Sequence, residues 1–164
     1  MKIIRILALA LFASSFTLHA AEKSAATNYY GLSFMEVSSS AGTTNYAPTG
    51  ILLRLGHRFS YDFALEFHTG SASSGSSLAI DRINSFLMRW EMPYERFHLH
   101  TMVGLSRVVF DDTNGKVVND GGSYGVGARF ETNGPYDIQL EWMSYIGLDA
   151  YNTDSINIGF IRYF

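Results

Sequence analysis

The chain has 164 residues, 12 basic and 15 acidic residues, and a formal net charge of −3 at pH 7. It contains no cysteine, which excludes a disulfide framework, a thiolate nucleophile and a lipid-attachment cysteine. Its mild acidity without clustered Lys and Arg argues against nucleic acid as a partner, and its length suits one domain rather than two.

In chain order, Lys2 and Arg5 precede the apolar run 6–12, and small residues follow up to Ala20. That is the layout of a secretory signal peptide, expected over residues 1–20 with cleavage after Ala20. The apolar run is too short to cross a bilayer as a helix, which needs ~20 residues. Eight segments of alternating polarity follow: Asn28–Val37, Thr49–Phe59, Asp62–Gly70, Ile80–Met92, Phe97–Val109, Ser123–Glu131, Asp137–Ile146 and Ser155–Phe164. Most have the ~9–11 residues that a strand tilted near 45° needs to cross the hydrocarbon layer. Their connections alternate as well. Ser60-Tyr61, Pro93–Arg96 and Thr132–Tyr136 are tight, whereas Ser38–Pro48, Ser71–Ala79, Phe110–Gly122 and Gly147–Asp154 are long and rich in Ser, Gly, Asn, Asp and Thr. Short turns on one rim and long loops on the other are the pattern of an up-and-down bacterial barrel.

One parity of the segments is nearly free of charge, carrying for example Leu32, Leu53, Phe67, Met88, Val103, Val126, Leu140 and Ile158. The other parity holds Gly31, Gly56, Gly104 and Gly127 together with Arg54, Arg58, Glu66, Arg89, Glu91, His98, His100, Arg129 and Glu141. Alternation alone also fits a soluble eight-stranded barrel with apolar residues inside. Three features favour apolar side out. Glycines share the charged parity, as a crowded lumen requires. Aromatics gather near segment ends, with Phe59, Tyr61, Trp90, Tyr94, Phe97, Phe130, Tyr136 and Phe164 on the short-turn side and Tyr46, Phe110, Tyr124 and Tyr151 toward the other. The last segment, finally, ends on the aromatic Phe164. Together these predict an all-β fold, an eight-stranded antiparallel up-and-down transmembrane β-barrel over residues 21–164, with Asn28–Val37 closing on Ser155–Phe164 because open sheet edges cannot persist in hydrocarbon.

The charged parity is the first candidate for a site. A three-residue connection would set Arg58 opposite Asp62 and Arg54 opposite Glu66, and the next hairpin would set Glu91 opposite His98 and Arg89 opposite His100. The expectation is a structural lumen network of Arg54, Arg58, Asp62, Glu66, Arg89, Glu91, His98, His100, Arg129 and Glu141, since buried charges are normally paired. His98 and His100 share a face, and Glu91 or Glu66 could join them, but two histidines do not close a metal site. The stretch Asp111-Asp112-Thr113-Asn114-Gly115 lacks the acidic first ligand of a calcium loop, Phe110 standing in its place. His57, His68, Ser60, Ser71 and Ser73 form no nucleophile motif. No catalytic residue, metal or cofactor is therefore expected.

The eight segments, the leader and the closing Gly159-Phe160-Ile161-Arg162-Tyr163-Phe164 resemble the small outer-membrane barrels of the OmpA-like and OmpX-like family. Arg162 departs from the apolar residue usual two places before the terminal aromatic, a position where an Arg near the interface costs only ~0–1 kcal/mol. The resemblance implies residence in the outer membrane, contact with its lipid, and recognition by the barrel-assembly machinery through the strand ending in Phe164. It implies a non-enzymatic barrel with a structural or surface-interaction role, whose lumen is filled rather than open. A narrow pore for ions or small solutes and a lipid-modifying enzyme are the alternatives, and the sequence names no extracellular ligand.

Overall fold

The computed structural model describes residues 27–41, 44–60, 62–73, 79–112, 115–147 and 151–164. The expected leader, residues 1–20, and Tyr61 lie outside the described residues. The strands are β1 (Thr27–Ala41), β2 (Thr44–Tyr46), β3 (Thr49–Arg58), β4 (Phe63–Ser73), β5 (Ala79–Tyr94), β6 (Phe97–Asp112), β7 (Gly115–Phe130), β8 (Asp137–Gly147) and β9 (Tyr151–Tyr163). The short β2 folds back on the upper end of β1, so eight strands, β1 and β3 to β9, make the wall. Each pairs antiparallel with the next, and β1 pairs with β9 from Tyr29↔Tyr163 up to Ala41↔Tyr151. The Phe164 amide donates to the Asn28 carbonyl at 2.9 Å and extends this seam. The barrel is closed, as the segment pattern requires.

The strand faces follow the sequence alternation. Phe34, Leu53 and Leu105 are 71 %, 52 % and 71 % exposed on the outer wall, whereas Arg54, Glu66 and Glu141 are 2 %, 1 % and 1 % exposed inside. A barrel with this sidedness is inside-out relative to a soluble one, which buries its apolar residues and solvates its charges.

On the short-turn rim, Glu95 takes a positive φ of 52° in a two-residue turn between Tyr94 and Phe97. The Thr132 hydroxyl serves the last short turn: it accepts from the Gly134 amide at 3.1 Å and donates to the Tyr136 carbonyl. Around this rim aromatic rings meet in pairs. Phe63 lies between Phe59 and Trp90 with centroids at 6.4 and 6.3 Å, Phe97 meets Phe130 at 4.9 Å, and Tyr136 meets Phe160 at 5.2 Å. Arg162 lies exposed on the outer wall with its guanidinium carbon 5.6 Å from the Tyr136 ring centroid, its stem on the apolar face.

The long-loop rim differs from expectation. The stretch Phe110–Gly122, expected as a loop, is mostly strand, for β6 and β7 stay paired up to Asp112↔Gly115. The alternation persists there, with Val108, Phe110 and Asn119 buried and Arg107, Val118 and Asp120 turned out, and a continuing two-residue period keeps a ladder in register. Phe110, expected in the upper aromatic girdle, is fully buried inside the barrel, because it falls on the inward parity once β6 runs past Val109. Tyr124 does face outward and packs edge-on against Trp142 at 5.6 Å. The side chains of Tyr46 and Tyr151, the other two expected there, lie outside the described residues.

Candidate functional site

The interior is divided into two tiers. The lower tier, toward the short turns, is ionic. Arg54 on β3 forks onto both carboxylate oxygens of Glu141 on β8, with Nη1 to Oε1 at 2.7 Å, and reaches Glu66 on β4 at 3.4 Å. Arg89 on β5 donates to Glu66 at 2.8 Å, lies 2.7 Å from Glu91, and contacts Gln139 at 3.2 Å. Glu66 also accepts from the Tyr29 hydroxyl at 2.5 Å and from His68 Nε2 at 2.5 Å. Nearer the rim, Arg58 donates to Glu91 at 3.0 Å and to the Tyr163 hydroxyl at 2.6 Å. Arg129 reaches Asp137 at 2.6 Å, Glu131 at 3.3 Å and Glu91 at 3.4 Å. Four guanidinium groups thus meet the four most enclosed carboxylates, Glu66, Glu91, Glu141 and Asp137, so the tier is close to neutral.

Neighbouring donors fix the state of His100. A guanidinium can only donate, so Arg89 Nη2, 3.1 Å from His100 Nδ1, requires that nitrogen to accept. The ring proton then sits on Nε2 and donates to Glu141 at 3.0 Å. His100 is a neutral connector between an Arg and a Glu.

Three glycines make the space. A Cβ at Gly56 would fall within the Tyr29 ring, one at Gly31 would lie 2.9 Å from Arg54 Cγ, and one at Gly127 would lie 2.5 Å from His100 Nε2 and 2.7 Å from Glu141 Cγ. In a barrel this narrow the long polar side chains need a wall without side chains opposite them.

The upper tier is apolar. Met35, Val37, Leu52, Ile80, Ile83, Leu87, Met102, Val108, Phe110, Met143 and Tyr145 form one buried cluster inside the barrel. A row of three hydroxyls lies alongside, Ser106 Oγ standing 2.6 Å from Ser85 Oγ and 2.8 Å from Ser123 Oγ.

Several sequence expectations about the site are corrected. Arg54 stands opposite His68 and Gly56 opposite Glu66, so the β3–β4 ladder is shifted two residues from the expected one. Arg54 and Glu66 still touch, because the diagonal neighbour on the same face is within reach of a long side chain. Arg58 stands opposite Ala64, and Asp62 is exposed in the turn, where its carbonyl accepts from the Glu91 amide at 2.7 Å. Asp62 therefore does not belong to the network. Glu91 stands opposite His100, and Arg89 opposite Met102, because the turn is two residues rather than four. His98 faces the half-exposed Glu131, with Nε2 2.9 Å from Oε1. Tyr29, His68, Gln139, Asp137 and Tyr163 complete the network without having been counted in it. Among the described residues no group of three or more His, Asp or Glu side chains is placed to hold a metal ion.

A closed barrel with an apolar exterior, aromatic rings at its lower rim and charges folded inward is the architecture of an integral outer-membrane protein. The model of the outer membrane protein β-barrel domain family matches residues 7–164, and the chain belongs to that family. Among solved structures it is similar to Ail, the attachment invasion locus protein of Yersinia pestis, at 13 % identity and a TM-score of 0.66, covering 86 % of this chain and all of that one. It is also similar to Neisserial surface protein A, at 12 % identity and 0.61, covering 86 % of this chain and all of that one. The outer membrane protein OprG of Pseudomonas aeruginosa matches at 12 % identity and 0.57, with 88 % of this chain and 98 % of that one covered. No curated protein matches the chain.

Proposed function

We propose that this protein is a sealed, non-enzymatic outer-membrane barrel that braces the envelope and presents its upper hairpins at the cell surface. The inaccessibility of the side chains that cross the lumen carries this reading. Arg54, Arg89 and Arg129 are 2 %, 1 % and 1 % exposed, and Leu52, Leu87, Phe110 and Met143 above them are at 0 %. A water-filled path past these groups would leave them wet. The apolar tier opposes conduction a second time, since an apolar constriction dewets.

In a planar bilayer the purified protein is expected to give no stable channels. Steady cation-selective conductance, altered in selectivity by Glu66→Gln, would replace this reading with a narrow pore. A changed lipid profile on deletion of the gene would replace it with a lipid-modifying enzyme. The leader is proposed to be residues 1–20, giving a mature chain that starts at Ala21, which N-terminal sequencing of the outer-membrane form tests. Recognition by the assembly machinery is proposed to run through Phe164, and its deletion is expected to lower the amount of heat-modifiable barrel in membranes.

The Ail structure has also been determined with a heparin analogue, sucrose octasulfate. A polyanion is not proposed as a ligand of this chain. On the upper part of β5 to β7, Lys116 is paired with Asp81 at 2.9 Å and Arg107 with Asp120 at 2.6 Å, so two of the three described basic side chains there, the exposed Arg82 being the third, already face a carboxylate.

A further inference from the structure

At the lower end of β9 the outer face reads Phe160, Arg162, Phe164, a cation between two rings. The ladders fix what flanks that cation. Arg162 stands directly opposite Tyr30 on β1, and on its other side the β8–β9 pairing begins at Asp137↔Ile161, which brings Tyr136 alongside. Its guanidinium donates to the hydroxyls of both tyrosines. Phe164 packs against Tyr30 with centroids at 6.0 Å and Phe160 against Tyr136 at 5.2 Å, so each phenol is held in place by a ring on the same face. Arg162, Tyr30 and Tyr136 are all exposed on the outer wall.

The donors of this cluster have a direction. A guanidinium carries only N–H donors, so each phenol oxygen accepts from it, and each phenol proton is left to be given to a third group. One patch thus presents the remaining guanidinium N–H groups and two O–H groups, with a net positive charge. At the depth of the aromatic rings, where hydrocarbon gives way to head groups, the matching acceptor is a phosphodiester, whose two anionic oxygens a planar guanidinium meets bidentately. An ammonium-bearing head is disfavoured beside it, because the ammonium brings only further donors and a like charge.

We propose that Arg162, Tyr30 and Tyr136 seat the phosphodiester of an anionic glycerophospholipid in the periplasmic leaflet. The Arg that breaks the closing pattern is then a lipid ligand and not a tolerated departure. The site rests on the short-turn rim facing the periplasm and holds whether or not the lumen is sealed.

Native mass spectrometry tests it on the chain folded in detergent with equimolar dioleoyl phosphatidylglycerol and dioleoyl phosphatidylethanolamine. Only barrel with heat-modifiable migration is weighed, so unfolded variants do not contribute. Wild type is expected to retain the glycerol lipid over the ethanolamine lipid by about fivefold, the ratio that one Arg supplies at an anionic lipid surface. Arg162→Gln is expected to bring that ratio near one. Tyr30→Phe combined with Tyr136→Phe, which keeps both rings and removes both hydroxyls, is expected to lower it without abolishing it. Arg82→Gln, an equal loss of charge on the exposed upper part of β5, is expected to leave it unchanged, and excess inorganic phosphate is expected not to displace the lipid. Equal retention by wild type, a preference for the ethanolamine lipid, a ratio that survives Arg162→Gln or is untouched in the double Phe variant, an equal fall in Arg82→Gln, or displacement by inorganic phosphate would each overturn the proposal.

Discussion

Removing Arg54 should expose how the ionic tier is held. Glu66 keeps strong partners in the variant, with Arg89 at 2.8 Å, Tyr29 at 2.5 Å and His68 at 2.5 Å. Glu141 keeps only the neutral His100 at 3.0 Å and a distant Arg89 at 3.9 Å. The penalty therefore falls on Glu141, a fully enclosed carboxylate left without its bidentate guanidinium, and breaking such a pair costs ~3–5 kcal/mol. Arg54→Ala is expected to lose that much. The double variant Arg54→Met with Glu141→Gln removes both charges, keeps side-chain bulk and leaves His100 an acceptor, so it is expected to lose about 1 kcal/mol, since replacing a buried pair by neutral groups is often near neutral. The coupling between the two sites would then be several kcal/mol. Urea titration of the protein refolded into phospholipid vesicles reads this through the two tryptophans of the chain, Trp90 and Trp142, both on the outward-facing parity. A cost below about 1 kcal/mol for Arg54→Ala, or a double variant that costs the sum of its singles, would refute the reasoning.

Leu53→Arg and Leu140→Arg, on the outer wall, should each cost ~2–4 kcal/mol in the same titration if they sit near the bilayer midplane, and wild-type stability in either would invert the facing. Gly56→Ala should cost ~1–3 kcal/mol because its Cβ enters the Tyr29 ring, whereas Gly122→Ala, with open space around its Cβ, should be neutral. On the upper hairpin, the hydrogen bonds from Arg107 hold the Asp120 carboxyl below the ordinary carboxylate range. The pair is thus intact above that range and lost as pH falls through the lowered value, and Arg107→Ala should return the Asp120 titration to ordinary values by NMR.

The barrel and its sidedness were legible because the side-chain period of a strand is two, and eight segments kept it. Register was not, for the same reason. A slip of two residues preserves every face, so pairing Arg54 with His68 rather than Glu66 leaves the alternation unchanged. The Arg54–Glu141 fork links residues 87 apart and arises only when the cylinder closes, which no local pattern announces. The apolar upper tier was hidden by residue type. Leu52, Leu87 and Met143 read like lipid-facing residues although their parity points inward. At β5 a bulge between Ile80 and Arg82 also breaks the alternation, so that Ile80 and Ile83 both turn inside.

That ambiguity of register bears on how the cylinder selects its final form. The seam joins the first and last strands of the wall, the pairing most distant in sequence, and a greasy exterior accepts either alignment of that seam two residues apart. The ionic tier does not. Such a shift carries Arg54 past Glu141 by about 7 Å at ~3.4 Å per residue, leaving a guanidinium and a carboxylate stranded in a dry interior. The buried charges thereby act as a proofreader of closure, penalising a misaligned cylinder that its lipid-facing surface cannot tell from the correct one.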